Sequence, residues 1–595
     1  MPELLTGNEA LARGAYEAGV SYASAYPGTP STEILETFAT YKDVIAEWAP
    51  NEKVALECAI GASISGARAF AAMKMVGVNV AADPLFSFSY SGVNGGLVLV
   101  TADDPGQHSS QNEQDNRYYA PFAKVPMLEP SDSQEAKDMA VAAFEISETF
   151  DVPVLFRMTT RVCHSKSLVT LGTRRTPVRK PYVRNVAKYE LVPGNARQLR
   201  AKLGAKLKRL AEYSETTPFN FIEWNGTETG IITSGMGYQH AREVFGDEAS
   251  YLKLGFTWPL PVEKIRQFAA RVRTLYVIEE LEPYLEDEIR RLGISCIGKD
   301  KLPGIFEFDP AIVGAALRGK AETPQEPVPV LPRPPLLCAG CPHRGFFVEL
   351  GKIARKRHAM IAGDIGCYAL GAGPPLDAQD LCICMGSAPS IAHGAQKVFG
   401  KFGEATRVVA TLGDSTFFHT GMNSILNLVY NKSNAIVCVL DNRITGMTGQ
   451  QEHPGTGQTL QGDATAEIDI AAVVRAFGLT HVRTINPNDL FEVRETLKWA
   501  FELDEPSVII TRWPCRLKKL NAGDQARYAH RYRRLAVRND LCNGCRECLK
   551  IGCPAISFDN IKDKARVDAE TCVGCEVCAQ VCGSDAFVDG ELEHA

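Results

Sequence analysis

The first 170 residues alternate apolar runs with segments rich in small residues. VGVNVAA (76–82), GGLVLVTA (95–102) and DVPVLFRM (151–158) have the length and the β-branched content of buried strands, and the segments between them predict helices. Strands that alternate with helices form α/β domains with mainly parallel sheets. We therefore expect an α/β domain over residues 1–170.

The same rhythm returns in two later parts of the chain. Apolar runs such as GIITSG (230–235) and TLYVIEE (274–280) predict a second α/β domain over residues 228–320. Strand and helix patterns over residues 336–525 predict a third. The expected fold class is α/β with doubly wound parallel sheets.

The remaining segments have different compositions. Residues 171–227 are basic and irregular before a charged helical pattern near 195–213, which predicts a connector on the surface. Residues 321–335 contain the proline-rich run TPQEPVPVLPRPP, which is typical of an extended linker. Residues 535–595 are rich in cysteine and internally repeated, so we expect a small separate domain there.

Composition and charge narrow the class of protein. A chain of 595 residues is too long for one hydrophobic core, and 45% hydrophobic with 23% charged residues is ordinary for a soluble protein. The net charge of −6 argues against a dedicated nucleic-acid binder. No 18-residue apolar stretch or secretory signal is visible, so we expect a cytoplasmic protein with no membrane partner.

Eighteen cysteines in such a protein need an explanation. Disulfides do not persist in a reducing cytosol, so clustered cysteines there usually bind metal. The tail contains CNGCRECLKIGCP (542–554) and CVGCEVCAQVCG (572–583), each with Cys-x2-Cys-x2-Cys and one more distant cysteine. Three thiolates on a compact loop and a fourth from elsewhere suit a [4Fe–4S] cluster. A zinc module is the alternative.

The tail resembles the bacterial two-cluster ferredoxins, in which the fourth cysteine of each run binds the other cluster. The resemblance implies two groups of ligands. The first tail set is Cys542, Cys545, Cys548 and Cys582, and the second tail set is Cys572, Cys575, Cys578 and Cys553. The first run departs from the usual pattern because four residues, not three, separate Cys548 from Cys553.

A candidate metal and phosphate site follows two predicted strands. RVVATLGD (407–414) and AIVCVLDN (435–442) place Asp414 and Asn442 at carboxyl ends of strands, where open α/β sheets bind ligands. A carboxylate and an amide oxygen suit Mg²⁺. An aspartate that only forms a turn is the alternative.

This site resembles the thiamine-diphosphate motif, Gly-Asp-Gly followed some 25–30 residues later by Asn. Here 26 residues lie between Ser415 and Asn442, Ser415 replaces the third glycine, and Asp441 replaces the first Asn of the usual pair. The resemblance implies that Mg²⁺ is held by Asp414, the Asn442 side chain and the Ile444 carbonyl. Gly413 and Ser415, in the turn around Asp414, are expected to bind the cofactor. Two small-residue loops are also expected to approach it: TGMTGQ (445–450), with Thr445 and Gly446, and MGSAPSIAHG (385–394), with Gly386 and Ser387.

The first domain shows residues that suit the other end of thiamine. Glu57 lies in the helical pattern NEKVALECAIGASISGARAF (51–70) and is followed by small residues. A carboxylate beside a closely packed face is costly unless it is paired, and an aminopyrimidine ring would pair it. An exposed helix glutamate is the alternative.

AYPGTPSTEI (25–34) resembles the Tyr-Pro-x-Thr-Pro-Ser loop of 2-oxoacid:ferredoxin oxidoreductases, which implies that Thr29 approaches the substrate carboxylate. In this loop Ser31 or Thr32 is expected to cap the next helix. In the loop HSSQNEQDNR (108–117), His108 and Arg117 are candidate site residues, and a solvated loop is the alternative.

The same family commonly holds a third cluster beside thiamine. CAGC (338–341), DIGC (364–367) and WPC (513–515) match its three ligand motifs, which implies a CAGC set of Cys338, Cys341, Cys367 and Cys515. Spacing alone does not select Cys367 and Cys515 over Cys382, Cys384 or Cys438; the resemblance does. A pair of thiols that binds nothing is the alternative.

The order of domains resembles the α subunits of indolepyruvate:ferredoxin oxidoreductases over essentially the whole chain. It implies two thiamine-diphosphate-binding domains, for pyrimidine (1–170) and diphosphate (336–525), a transketolase C-terminal-like domain (228–320) and a C-terminal two-cluster ferredoxin-like α+β domain (535–595).

The resemblance also implies an activity and its partners. The activity is oxidative decarboxylation of an aryl pyruvate with coenzyme A to aryl-acetyl-CoA and CO₂, with ferredoxin reduced. The source is expected to be anaerobic, and the partner a smaller β subunit in an α2β2 assembly. Three alternatives remain: an oxidoreductase for a different 2-oxoacid, a non-redox thiamine-diphosphate decarboxylase or synthase, and a pure electron carrier.

Overall fold

The computed structural model describes residues 2–176, 179–319, 330, 334–528 and 533–590. The chain divides into two compact units, Met1–Pro329 and Val330–Ala595. The division falls in the predicted linker 321–335, most of which lies outside the described residues. Sheets are found within each unit.

The first part of the first unit alternates strands with helices. Its elements are β1 (Pro2–Thr6), α1 (Gly7–Glu17), β2 (Tyr22–Ala25), α2 (Thr32–Phe38), β3 (Ile45–Trp48), α3 (Glu52–Ile64), β4 (Ala69–Lys74), α4 (Met75–Val80), α5 (Ala82–Ser91), β5 (Leu97–Asp103), a 3-10 turn (Asn116–Tyr118), α6 (Tyr119–Ala123), β6 (Met127–Leu128), α7 (Ser133–Phe150), β7 (Val154–Thr159), α8 (Thr160–His164) and β8 (Lys166–Thr170).

The second part of this unit begins with two helices and continues as α/β. Its elements are α9 (Val186–Tyr189), α10 (Pro193–Thr216), β9 (Asn220–Glu223), β10 (Thr229–Ser234), α11 (Gly235–Phe245), a 3-10 turn (Gly246–Glu248), β11 (Ser250–Leu254), β12 (Phe256–Trp258), α12 (Val262–Ala269), β13 (Thr274–Ile278), α13 (Tyr284–Arg291) and α14 (Pro310–Arg318).

Two main sheets form in the described part of the first unit. The larger has the strand order β12-β6-β7-β5-β4-β2-β3, and its neighbours are parallel except for the antiparallel pair β12 and β6. The smaller has the order β13-β10-β11-β9, with β9 antiparallel. β12 comes from the second part of the unit, so the larger sheet joins both parts.

Most of the predicted strands are confirmed, including β5, β7, β10 and β13. The strand predicted at 76–82 is wrong, because that run begins inside the helix α4. The strand lies just before it, in the fully buried β4. A short apolar run does not by itself distinguish a buried strand from a buried helix. The helix predicted over 51–70 ends earlier, at Ile64.

The second unit begins with a third α/β arrangement. Its elements are α15 (Pro342–Arg357), β14 (Met360–Gly363), a 3-10 helix (Cys367–Ala372), β15 (Leu381–Cys382), α16 (Ala388–Lys401), β16 (Val408–Gly413), α17 (Asp414–Thr416), a π-helical turn (Phe417–Gly421), α18 (Met422–Tyr430), β17 (Ile436–Asp441), α19 (Ile470–Ala476), β18 (His481–Ile485), α20 (Leu490–Glu502), β19 (Ser507–Arg512) and α21 (Ala522–Tyr528).

This region contains a parallel sheet in the order β15-β14-β16-β17-β19-β18. Alternate residues of β17 pack into separate cores: Cys438 and Leu440 into one, Val437 and Val439 into the other. The sheet is therefore covered on both faces, as in doubly wound folds.

The cysteine-rich tail forms two short antiparallel strand pairs. Its elements are β20 (Leu535–Val537), a 3-10 helix (Glu547–Ile551), β21 (Ile556–Asp559), β22 (Lys564–Val567), α22 (Val577–Gln580) and β23 (Phe587–Asp589). β20 pairs with β23, and β21 with β22. The tail packs on the α/β part of its own unit, where the Gln580 side chain accepts a 2.9 Å hydrogen bond from Leu490 N.

Among the helices in the described ranges, none combines the length and the apolarity needed to cross a lipid bilayer.

Candidate active site and cysteine clusters

Three neighbouring parallel strands of the second unit end at polar side chains. Asp364 follows β14, Asp414 follows β16 and Asn442 follows β17. Because parallel strands share one carboxyl edge, these residues lie at the same edge of the sheet. All three are buried.

One carboxylate oxygen of Asp414 has no hydrogen-bond partner among the described residues. Its Oδ1 accepts from Ser415 N at 2.9 Å. Its Oδ2 lies 3.0 Å from His453 Nε2, but within the described part of the chain both atoms are buried without a hydrogen-bond partner. Burial acts to raise the pKa of Asp414, but His453, Ser415 N and Asp441 together outweigh it, so the pKa lies below its usual value. An ionised carboxylate with an unused buried oxygen fits a cation.

The end of β17 adds two further residues whose side-chain oxygens can bind a cation, Asp441 and Asn442. Burial and the nearby charge of Asp414 raise the pKa of Asp441 to about 6, while Arg512 opposes the shift. Arg512 Nε donates to Asp441 Oδ2 at 2.6 Å. Asn442 Nδ2 donates to His343 Nε2 at 3.4 Å, and Ile444 N donates to Asn442 Oδ1 at 3.3 Å. A divalent cation here would offset the adjacent carboxylates.

The two small-residue loops surround this strand edge. Gly386 N donates to Asp364 Oδ1 at 2.8 Å, and a φ of 82° makes glycine favourable there. Thr445 Oγ1 donates to Ser415 Oγ at 2.9 Å, so the second loop reaches the turn after β16. A side chain at Gly446 would place its Cβ 3.5 Å from Asn442 Nδ2. Both loops can therefore approach a diphosphate closely.

The CAGC set is brought together beside this edge. Burial, together with the nearby thiols of Cys515 and Cys367, raises the pKa of Cys341 to about 12. Burial, together with Cys515 and Cys338, raises the pKa of Cys367 to about 11. Cys515 N donates to Asn442 O at 2.8 Å, which ties the set directly to the strand end.

The other cysteines of this unit lie elsewhere. Cys438 is buried inside β17. Burial raises the pKa of Cys382 to about 11, and its charged neighbours are Asp364 and Cys384 rather than the CAGC set. The thiols that affect the pKa of Cys367 are Cys515 and Cys338, and none of these three is among them.

The tail cysteines form the two groups that the resemblance implies. Burial raises the pKa of Cys548 to about 11, and Cys545, Cys542 and Cys582 are its neighbours of like charge. Burial raises the pKa of Cys578, with contributions from the other second-set thiols. All four cysteines of the second tail set line one cavity.

The extra residue before Cys553 is absorbed by a helical turn. The 3-10 helix Glu547–Ile551 carries Cys548 and ends at Gly552, whose φ is 66°. A positive φ is readily adopted by glycine, so the longer loop still returns Cys553 to the second tail set.

No group of three or more His, Cys, Asp or Glu in the described ranges closes around a single-ion position.

Glu57 lies on an exposed face of the first unit. Its side chain is 44% exposed and forms an ion pair with Lys53. A side chain at Gly61 would have no atom of the described residues within 4 Å of its Cβ. The described part of this unit therefore does not provide the closely packed surroundings expected for Glu57.

Thr29 lies where two loops meet. Ser109 Oγ donates to Thr29 O at 3.4 Å, and Lys74 Nζ donates to Ser109 O at 2.6 Å. The expected side-chain cap of α2 is wrong: the helix begins at Thr32, but the Ser31 hydroxyl donates to Gly28 O instead.

Arg117 and His108 have structural partners. Arg117 is fully buried and donates to Asp115, to Glu279 and to two main-chain carbonyls beyond β13. It is neither a solvated loop residue nor open to a substrate, so the candidate role for it is wrong. His108 Nε2 lies 3.0 Å from Glu307 Oε1.

Sequence reasoning missed two buried histidines at the strand edge. His453 lies beside Asp414, and His343 beside Asn442. Burial lowers the pKa of His343 to about 4, so it is neutral and accepts from Asn442. His343 directly follows CAGCP, and that position was the only signal; nothing in the sequence around His453 indicates its role.

Comparison with known families agrees with this geometry. Residues 13–201 match the family model described as pyruvate flavodoxin/ferredoxin oxidoreductase, thiamine diphosphate-binding. Residues 364–511 match the C-terminal TPP-binding domain of thiamine pyrophosphate enzymes. The fold and these two domains define a thiamine-diphosphate-dependent oxidoreductase of the 2-oxoacid:ferredoxin class.

Curated relatives match nearly the full chain. The indolepyruvate oxidoreductase subunit IorA of Pyrococcus horikoshii is 41% identical, with 99% of this chain and 97% of that protein covered. IorA of Archaeoglobus fulgidus is 38% identical, with 98% and 97% covered. The chain belongs to the indolepyruvate oxidoreductase subunit IorA family.

Among solved structures, a 2-oxoglutarate:ferredoxin oxidoreductase from Magnetococcus marinus is 18% identical, with a TM-score of 0.46, and covers 54% of this chain and 65% of its own.

Proposed function

We propose that this chain is the thiamine-binding subunit of an enzyme that oxidises aryl pyruvates, such as indole-3-pyruvate, to aryl-acetyl-CoA and CO₂. The observation that carries the proposal is the union of two sites in one domain. The hydrogen bond from Cys515 N to Asn442 O joins the candidate Mg²⁺ site to a group of four thiols. The aryl preference comes from the IorA relatives, whose names specify indolepyruvate.

The domains take these roles in the proposal. Residues 1–170 bind the aminopyrimidine of thiamine, and residues 336–525 bind its diphosphate. Residues 228–320 form the transketolase C-terminal-like domain, and 171–227 connect it to the first. Residues 535–595 form the ferredoxin-type domain. β9 (Asn220–Glu223) lies in the second sheet, so that sheet begins inside the connector.

Thiamine diphosphate, when bound, supplies an electron sink for the electron pair left behind as CO₂ departs. Asp414, the Asn442 side chain and the Ile444 carbonyl would hold the Mg²⁺ that carries the diphosphate. Glu57 would exchange a proton with the aminopyrimidine, which requires another surface to cover its exposed face. Thr29 would bind the substrate carboxylate.

The electrons and atoms balance with four reactants. The C–C bond to the carboxylate breaks, a C–S bond to coenzyme A forms, and one proton is released. The CAGC set and the two tail sets would each hold a [4Fe–4S] cluster, and these clusters would supply the path for two electrons to two molecules of oxidised ferredoxin. A β subunit, in an α2β2 assembly, would complete the site.

The test uses the anaerobic α and β subunits together with thiamine diphosphate, Mg²⁺ and coenzyme A. Pyruvate, 2-oxoglutarate, branched-chain and aromatic 2-oxoacids are supplied in turn. We expect aromatic substrates to bleach the cluster absorbance fastest and to yield the matching acyl-CoA. If only a different 2-oxoacid bleaches the clusters, that compound replaces the aryl pyruvate as the assigned substrate. Product formed without bleaching would indicate a non-redox decarboxylase.

A further inference from the structure

A buried arginine lies between two of the cysteine groups. Arg344, in the first turn of α15, is 2% exposed. Its Nη1 donates to Ile551 O at 2.8 Å and to Gly552 O at 2.5 Å, in the loop before Cys553. Its Nη2 donates to Leu337 O, and to Cys338 O at 3.2 Å. One guanidinium therefore joins the CAGC loop to the loop of the second tail set.

The charge of Arg344 has no carboxylate partner in the described part of the chain. All its hydrogen-bond acceptors there are main-chain carbonyls, and its Nε has none. The other arginines buried to a similar degree pair with carboxylates: Arg117 with Asp115 and Glu279, Arg157 with Asp103 and Glu129, and Arg443 with Asp524 and Glu467. An uncompensated buried charge is costly, so an anion is expected beside Arg344.

The cysteine groups on its two sides supply that anion. Arg344 and Gly340 line the same cavity as the second tail set, and a Cβ on Gly340 would collide with Val573. The guanidinium contacts both groups directly, because it donates to Cys338 O in the CAGC loop and to Gly552 O next to Cys553. Clusters bound to four thiolates carry negative charge that grows on reduction.

We infer that Arg344 is the shared counter-ion of the clusters held by the CAGC set and the second tail set, and that it raises the reduction potentials of both. This inference rests on the cluster sites of the proposed function. A fixed cation between two clusters stabilises each reduced form more than the oxidised one. Because it lies beside both groups, it shifts both potentials in the same direction.

The test is an EPR-monitored redox titration of the iron-loaded, full-length protein under anaerobic conditions. In Arg344→Gln, we expect the potentials of the two facing clusters to fall, with at least a threefold change in each one-electron equilibrium. Arg344→Lys keeps the charge and should stay closer to the wild type. Signals are assigned with Cys338→Ser and Cys572→Ser variants.

Arg407→Gln is the matched control. Among the residues that the structure describes, Arg407 also bonds only carbonyls, Leu503 O at 2.6 Å and Asn434 O at 2.7 Å, and its Nε has no partner there. It lies just before β16, at the opposite end of that strand from Asp414. Arg407→Gln should lower the thermal stability of the protein and leave the reduction potentials of all clusters unchanged.

Several outcomes would overturn the inference. Unchanged potentials in Arg344→Gln with full iron content would leave Arg344 a purely structural residue. If that variant loses iron, the two facing clusters must be lost first; loss of the first tail set alone would contradict the inference. If Arg344→Gln does not fold, the test uses Arg344→Lys, which keeps the positive charge. A shift in reduction potential there as large as that in a cysteine variant would exclude charge as the cause. Wild-type protein without three clusters would instead refute the proposed function.

Discussion

Asp414 is an ionised carboxylate in a place where a free charge is costly. His453 lies 3.0 Å from it without a hydrogen bond, and Asp441 adds a second buried carboxylate. A bound Mg²⁺ would compensate this negative charge. Relief of the repulsion between the two carboxylates would therefore contribute to the affinity for Mg²⁺.

Asp414→Asn removes one charge from this edge of the sheet. We expect retention of Mg²⁺ and thiamine diphosphate to weaken more than about a hundredfold, because a direct ligand is lost. Iron content should not change. Asp489→Asn is the control, since Asp489 caps α20 through Phe491 N and Glu492 N, and asparagine caps equally well. Calorimetric titration of cofactor into iron-loaded protein measures both; full affinity in Asp414→Asn would remove the assignment.

Site residues that follow a recognisable local sequence pattern were predictable. Residues whose role depends on contacts with distant parts of the chain were not. Asp414 and Asn442 follow apolar runs that end at turns, so the sequence marks them as residues at strand ends. His453 reaches Asp414 from 39 positions away, across a loop with no periodic pattern. Arg344 finds its partners more than 200 residues away. Such contacts depend on packing that no local signal encodes.

At the scale of elements, β17 connects the candidate Mg²⁺ site with the CAGC set. Its last residue accepts from Trp513 N at 3.0 Å, and the next residue, Asn442, accepts from Cys515 N. The segment after β19 is therefore held in register with the strand end that supplies the candidate Mg²⁺ ligand. A cluster at the CAGC set would sit at a fixed distance from the cofactor.

Cys515→Ala should remove about one cluster, that is, about four of twelve irons. The tail clusters should keep their EPR signals, because their ligands come from other loops. Cys438→Ala is the matched control: Cys438 is buried in the middle of β17, so its loss leaves a small cavity and full iron content. Iron analysis after anaerobic reconstitution decides, and equal iron in both variants would refute the third site.

Arg117 holds the loop after β5 against the segment after β13. It pairs with Asp115 and with Glu279, which lies just past β13 in the other sheet of the first unit. Arg117→Gln leaves both carboxylates buried without their partner, and we expect a loss of about 3–5 kcal/mol. Arg273→Gln breaks an exposed pair with Glu228 and should cost under about 1 kcal/mol. Thermal unfolding at neutral pH compares the two, and equal midpoints would contradict the structural role.

Element predictions succeeded where composition and length agreed. The buried strands β5, β7, β16 and β17 combine β-branched residues with clear turns on both sides. The prediction for 76–82 failed because a short apolar run, here Val alternating with Gly and Asn, is also compatible with a short buried helix. β12, which joins the larger sheet from the second part of the unit, has three residues and no distinctive pattern.

At the scale of the whole molecule, the sequence motifs divide between two compact units. Glu57 and Thr29 belong to Met1–Pro329, whereas Asp414, Asn442 and the cysteine sets belong to Val330–Ala595. The order of domains was readable because each has its own motif. No sequence motif shows whether one copy of the chain or two copies hold each cofactor, because that depends on how the subunits assemble.

Mixing two inactive variants tests how the chains share the cofactor. Glu57 is exposed and followed by the open position Gly61, so a second copy of the chain can approach it closely. We therefore expect Glu57→Gln and Asp414→Asn proteins, each inactive alone, to regain activity when dissociated and reassembled together. In a two-fold dimer with sites shared between chains, half of the dimers are mixed and each has one intact site, giving about a quarter of wild-type activity. If each chain holds its own cofactor, every site carries one lesion, and the mixture stays inactive while iron content and subunit assembly remain normal.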